Sequence, residues 1–405
     1  MRSLFANIYY LYLIKLSKWL MLIMPVVVLF YKDNGLETYQ IYLLQAGYSI
    51  SVVLFEIPSG YLADIVGRRS CLIWGSVMGT AGFALLSVSH SFGTFLMAEM
   101  ILGVGGSLIS GADSALLYDS LAATSRHHYY LRYEGRITAL GNLGETCAAI
   151  LGGLLAAWLG YRSVYFAQTA IAAIGVPASL LLIEPVRKKL VSHPSLGEIF
   201  RISKEALFID KTLSGVIFSG AVAGTATLCM AWTAQIYFVE NGFSEKEITP
   251  LWVLLNLTVA LTSAASATVV TRIGIRRAVQ ISALLPIGFI LIGLLPLAGA
   301  LSVLFVFYLV RGYTTPLYRE LINRNCDSAV RATVLSIRSL LVRLFFSIGG
   351  PLIGYLAGRS SLDHAVVVFG IVLTAGSLAA ATFMFRHQNF TDHNFKDDPD
   401  SGSGS

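Results

Sequence analysis

SGYLADIVGRRS, Ser59 to Ser70, is a charged, glycine-flanked turn set between two oily segments. Asp64 and the neighbouring Arg68 and Arg69 interrupt hydrophobic sequence that resumes on both sides. What flanks the turn decides the fold class. Residues 37–63 upstream and 71–90 downstream are continuous apolar runs. Runs of about 20 residues cross roughly 30 Å of hydrocarbon as helices. A chain in lipid must satisfy its backbone polar groups internally, which a helix does within a single segment.

The same pattern recurs along the chain. Of 405 residues, 55% are hydrophobic and 13% charged, against about 25% charged in soluble domains. Apolar runs fall at 5–31, 37–63, 71–90, 93–122, 133–158 and 162–184, then at 211–239, 247–272, 277–297, 299–324, 331–357 and 363–386. They are continuous, which excludes the short alternating strands of a membrane β-barrel. The composition therefore predicts an all-α membrane protein of twelve transmembrane helices.

The first run is too long for a secretory signal and lacks a small-residue cleavage site. Cys71, Cys147, Cys229 and Cys326 have no zinc-like spacing and sit where disulfides are not expected. The formal charge of +6 reads as the basic excess of cytoplasmic loops, not as a nucleic-acid surface. No cofactor or nucleotide motif is present, and neither G-x-S-x-G nor H-E-x-x-H appears, so the reading is not an enzyme.

The longest polar connection, Glu184 to Lys211, falls midway. It divides the chain into an N-terminal six-helix bundle at 1–186, a cytoplasmic linker at 187–210 and a C-terminal six-helix bundle at 211–388. A disordered polar tail at 389–405 follows, in which Ser401 to Ser405 reads as an artificial linker. With both termini inside, the outer loops hold only Lys32, Arg162, Lys246 and Arg359, and all other loop cations lie inside. That asymmetry puts both termini in the cytoplasm and the Asp64 turn on the inner face.

The halves echo one another. ATVVTRIGIRR, Ala267 to Arg277, occupies the place in the second half that Gly60 to Ser70 holds in the first. Gly274 matches Gly67 and Arg276 matches Arg69, with Thr271 where Asp64 would stand. ILGGLLA (Ile150 to Ala156) likewise pairs with SIGGPLIG (Ser347 to Gly354). Internal repeats are how transporters build two domains around one central site.

GYLADIVGRR resembles the loop signature of the major facilitator superfamily, and it lies at the expected place between the second and third helices. The resemblance covers essentially Leu4 to Arg386 and implies two pseudo-symmetric bundles. In that family the loop latches the halves together in the outward-open state, which gives Gly60, Asp64, Gly67, Arg68 and Arg69 a gating role. Physically, Asp64 suits the positive end of a helix dipole. Arg68 and Arg69 can hold carboxylates or lipid headgroups. Two departures stand out: AEMILG places Glu99 where many members carry arginine, and GNLGETCAAILGG carries Glu145 and no proline.

Ionisable groups inside spans are costly and are functional candidates by default. Lys15 and Lys18 share a helix face; Glu56, Asp113 and Glu145 are the acids; Arg311, Arg338 and Arg343 come from the second half. The resembling fold lines its cavity with the first, fourth, seventh and tenth helices. That implies Lys15, Lys18, Asp113 and Arg311 as substrate-binding candidates; Trp232 and Gln235 in the seventh run and Arg338 in the flanking eleventh join them, with Asp113, Glu56 and Glu145 for proton coupling. Buried ion pairing that holds helices in register is the competing reading for Glu145. Gly350, Gly354 and Gly358 suit close helix packing, and His127 and His128 read as solvated loop residues.

The expected function is secondary active transport by alternating access of a small organic anion or zwitterion, such as a carboxylate metabolite or siderophore-like compound. Protons are the expected coupling ion, and a monomer in the bacterial cytoplasmic membrane the expected setting. No cofactor, metal or nucleic acid is implied; the partners are substrate, protons and lipid. The alternative is multidrug efflux by proton antiport.

Overall fold

The computed structural model describes residues 4–110, 112–126, 129–185, 196–327 and 330–387; within them, the side chains at 64, 131, 132, 135, 138, 139, 142, 143, 196 and 332 are not described. The Asp64 side chain, His127, His128, residues 187–195 of the expected linker and the tail from 388 onward thus lie outside the described residues. Every described element is helical.

The first expected span is broken. Helices α1 (Ala6–Trp19) and α2 (Val27–Asp33) flank a non-helical stretch around Pro25. Proline has no N–H and its ring clashes with the preceding turn, so an uninterrupted helix is unfavourable there. The freed Leu22 N–H donates to the buried Gln168 Oε1 at 2.8 Å, as a backbone donor inside a membrane requires.

Helix α3 (Thr38–Ile65) opens with a capping box between Glu37 and Gln40. It is followed by α4 (Arg68–Val88), α5 (Phe92–Ser110), α6 (Asp113–Ala123), α7 (Tyr130–Leu159), α8 (Tyr161–Ala173) and α9 (Gly175–Leu181). The second half comprises α10 (Leu196–Lys204), α11 (Lys211–Glu240), α12 (Glu245–Ala264), α13 (Ser266–Ile273), α14 (Ile275–Ala283), α15 (Ile287–Leu294), α16 (Leu297–Arg324), α17 (Arg331–Arg359) and α18 (Leu362–His387).

Among the described residues, nine segments are long and apolar enough to cross a membrane, or ten when α14 and α15, bent by 45°, count as one span. The two remaining expected spans are the broken α1–α2 segment and α7. In α7 the apolar part is only Gly144–Leu159, because Glu134 and Arg136 precede it.

Two compact units organise the chain. One holds Met1–Val191 together with Trp232–Val253 and Phe346–Gly358; the other holds Ser192–Ala231, Leu254–Phe345 and Arg359–Ser405. In the first unit, α3, α4 and α5 pack tightly through small residues. A Cβ on Gly75 would meet the Gly105 carbonyl, and one on Gly103 the Tyr48 carbonyl. Gly152 approaches the Leu22 backbone, Gly153 approaches Thr249, and Gly350 and Gly354 approach Tyr42. Close approach is what small residues contribute in lipid, where hydrophobicity does not drive helix association. Gly358 faces open space, so the packing role expected for it is not realised. Tyr42 Oη and Thr233 Oγ1 share a hydrogen bond of 2.7 Å in the same unit.

In the second unit, Gly293 lies against the Asp363 backbone, and Phe289 meets Phe369 edge-on at 5.3 Å. Tyr318 Oη is buried between Ser219 Oγ at 2.8 Å and Ser282 Oγ at 3.1 Å.

The repeat read from sequence has a structural counterpart. Gly67 (φ +105°) joins α3 to α4, and Gly274 (φ +82°) joins α13 to α14. Both adopt backbone conformations that strain residues with a Cβ.

Candidate functional site

The charge cluster of the first unit forms where α1, α6 and α7 meet. Lys15, nearly buried on α1, places Nζ 2.7 Å from Glu134 Oε1 and 3.5 Å from Asp113 Oδ2. Ser114 Oγ accepts from Lys15 Nζ at 3.3 Å and donates to Glu134 Oε1 at 3.1 Å. One cation thus serves two carboxylates, a formal charge of −1 for the three. Lys15 and Asp113, both substrate-binding candidates from the sequence, meet here, and Glu134 was not foreseen. Its signal was available: a buried lysine needs a carboxylate, and Glu134 opens the fifth apolar run.

Lys18, one helical turn further along α1, donates to the Gly106 carbonyl at 3.4 Å. Glu56 on α3 and Glu145 on α7 are both half-buried.

At the quoted turn, Arg68 and Arg69 begin α4, and the Glu184 carboxylate accepts from both backbone N–H groups, at 3.1 and 2.7 Å. A helix N-terminus has unsatisfied donors and a positive dipole end, and a carboxylate answers both. The Arg68 guanidinium reaches Asp119 Oδ2 at 2.5 Å and the Ala115 carbonyl. Arg69 donates to the Leu180 carbonyl at 2.9 Å. Both arginines are therefore engaged inside the unit. Neither Glu184 nor Asp119 was picked out from sequence, although a carboxylate after an arginine-rich turn is a simple complement. Gly60 has open space around it. Glu184→Ala should cost about 1 kcal/mol, as lost helix caps do; a thermal unfolding curve in detergent indistinguishable from wild type would remove this capping role.

A further buried acid is Glu99 on α5. Its Oε1 accepts from Tyr31 Oη at 2.5 Å and Gln45 Nε2 at 3.1 Å, with no cation in ion-pair range among the described residues. The position that departs from the family pattern thus carries a buried hydrogen-bond cluster with Tyr31 and Gln45.

In the second unit, a cavity of about 490 Å³ is lined by Val259, Ser263, Arg311, Gly312, Thr315 and Arg319, among others. Arg311 stacks over the Tyr308 ring at 5.0 Å, and its buried Nη1 has no hydrogen-bond partner among the described residues. Arg338 packs beside Gly220 and Tyr318 with Nε likewise unpartnered, but it is not among the cavity-lining residues. Trp232 and Gln235 belong to the first unit; Gln235 is buried with Oε1 unpartnered. Arg319 was missed in the sequence because it lies near the end of the tenth apolar run, where a cation reads as a loop charge.

Long apolar helices, with charged side chains buried among them, mark a multi-pass integral membrane protein. The chain belongs to the major facilitator superfamily, whose family model matches residues 16–349.

The quinolone resistance protein NorA of Staphylococcus aureus is 23% identical over 230 residues, 56% of this chain and 57% of that protein. The multidrug resistance protein Stp of Mycobacterium tuberculosis is 27% identical over 196 residues, 47% of this chain and 35% of that protein. The match thus spans little more than half of one relative and about a third of the other. In fold, the chain is similar to the nucleoside transporter NupG, with a TM-score of 0.75 at 13% identity over 96% of this chain and 100% of the other. It is also similar to a bacterial homologue of the human lysosomal transporter Spinster, with a TM-score of 0.72 at 13% identity over 95% and 98%.

Proposed function

We propose that the protein is a secondary active transporter of a small organic anion or zwitterion, working by alternating access and coupled to protons. The observation that carries the substrate reading is Arg311: a guanidinium beside a cavity of about 490 Å³, whose buried Nη1 has no hydrogen-bond partner among the described residues. A buried unpartnered donor is costly, and a carboxylate or similar anion in the cavity would satisfy it. The proposal includes twelve spans in two six-helix bundles, both termini and the Asp64 turn in the cytoplasm, and a monomer in the bacterial cytoplasmic membrane. Gly60, Asp64, Gly67, Arg68 and Arg69 remain the proposed gating loop.

A second reading, multidrug efflux by proton antiport, is favoured by the names of the two relatives, NorA and Stp. A ligand-stabilisation screen of the purified protein across anionic, neutral and cationic compounds, followed by uptake into proteoliposomes, separates the two. Stabilisation by anions supports the first reading. Stabilisation by apolar cations alone would replace it with the second, and no uptake of any stabilising compound would count against transport itself.

Proton coupling is proposed at Asp113, with Glu56 and Glu145 as further candidates. Neutralising Asp113 leaves the 2.7 Å Lys15–Glu134 pair intact, so Asp113→Asn should fold and bind substrate yet fail to accumulate it. Undiminished accumulation driven by a pH difference would show that Asp113 is not the proton carrier.

A further inference from the structure

Three side chains of α16 that line the cavity of the second unit follow one another at four-residue spacing: Arg311, Thr315 and Arg319. Four residues are slightly more than one helical turn, so the three form a ladder up one face. Arg311 and Arg319 are eight residues apart, about 12 Å along the axis at 1.5 Å per residue. Both are long, flexible side chains, and a planar guanidinium presents a fork of donors suited to carboxylate oxygens.

Among the described residues, the lining offers the two arginines no protein counter-ion. Its one described acid, Glu320, is held by Arg324 at 2.7 Å. Neither Arg311 nor Arg319 has a carboxylate within ion-pair distance among the described residues. Arg338 lies within electrostatic reach of Arg319 and adds to the positive charge there, its buried Nε again without a hydrogen-bond partner among the described residues. Thr315 contributes a hydroxyl between the two guanidinium groups. Like charges facing one cavity without counter-ions repel one another, and a ligand carrying two separated negative groups would relieve that repulsion at both rungs. A ligand with a single acidic group could satisfy only one.

We propose that this cavity selects an organic dianion with its two acidic groups separated along the chain, one held at Arg311 and the other at Arg319. The proposal rests on the transporter reading above and narrows its substrate class from any organic anion or zwitterion to extended dicarboxylate-type molecules. Arg319 is then a specificity-determining residue. Its loss should cost the second acidic group only, leaving the interaction at Arg311 in place.

The test uses the full-length purified protein in detergent, with linear dicarboxylates from succinate to suberate and the monocarboxylate of matching chain length for each. Binding is measured by calorimetry on wild type, Arg319→Gln and Arg319→Lys. Arg319 is exposed on the cavity side, so its replacement leaves the packed core alone, and an unchanged melting temperature without ligand confirms this. The longer dicarboxylates should bind wild type on the order of tenfold more tightly than their monocarboxylate partners, the scale of one charged hydrogen bond. In Arg319→Gln that advantage should vanish while monocarboxylate binding stays as in wild type, and Arg319→Lys should recover part of it.

A dicarboxylate preference that survives in Arg319→Gln, or an equal loss for both series, would overturn the assignment of the second acidic group to Arg319. Dicarboxylates binding no better than monocarboxylates would overturn the dianion proposal and leave the anion reading standing. Binding of neither series would remove both, while uptake of other compounds by proteoliposomes would still decide whether the protein transports.

Discussion

Lys15→Ala should destabilise the protein by about 3–5 kcal/mol, the cost of removing one partner from a buried ion pair. The substitution leaves Asp113 and Glu134, until then sharing one ammonium at 3.5 and 2.7 Å, as two like charges in a poorly solvated cluster. The loss should be read by unfolding in detergent. It should also depend on the acids: adding Glu134→Gln to Lys15→Ala should recover part of the stability, because one uncompensated carboxylate is gone. If the double variant is no more stable than the single one, the cluster is not an electrostatic unit, and Lys15 acts through packing of its aliphatic stem.

Arg311→Gln should weaken binding of an anionic substrate by about 1.5–3 kcal/mol, the range for a hydrogen bond to a charged group. An uncharged analogue should lose less, because glutamine retains hydrogen-bonding capacity but not charge. Cation–π stacking on Tyr308 at 5.0 Å ties Arg311 to its own helix, so the substitution also removes that contact. Affinities falling equally for charged and uncharged ligands would show that Arg311 is structural and would withdraw the anion preference. Measuring both ligand types on one preparation separates the two roles.

The Lys15 and Arg311 sites differ in how far they could be read beforehand. Lys15 and Asp113 were legible as candidates because each is a charge well inside an apolar run, and depth along a helix follows from counting residues. Glu134 escaped notice because it opens its run, where a charge looks like a loop residue. Arg319 escaped for the same reason at the far end of another run. Gly274 was recognised as the counterpart of Gly67, and both joints have positive φ, because a turn that only glycine makes easily leaves a mark in sequence. The break in the first span was legible in principle, since Pro25 stands in it, but the donor it frees is answered by Gln168 on a distant helix.

Sequence by itself determined that this chain crosses a membrane as apolar helices, and where the charged turn falls between the second and third of them. Hydrophobic length and glycine turns are local properties, set by the residues that show them. Only the tertiary structure decided which charges meet: Lys15 with Glu134 as well as Asp113, Arg68 with Asp119, and Glu184 over the first N–H groups of α4. It also decided that Arg311 and Arg319 line one cavity whose described acid is held by Arg324, and that Arg338 does not line it. Pairing across helices depends on the rotational phase and depth of both partners together, and each is fixed by side-chain packing that no single segment encodes.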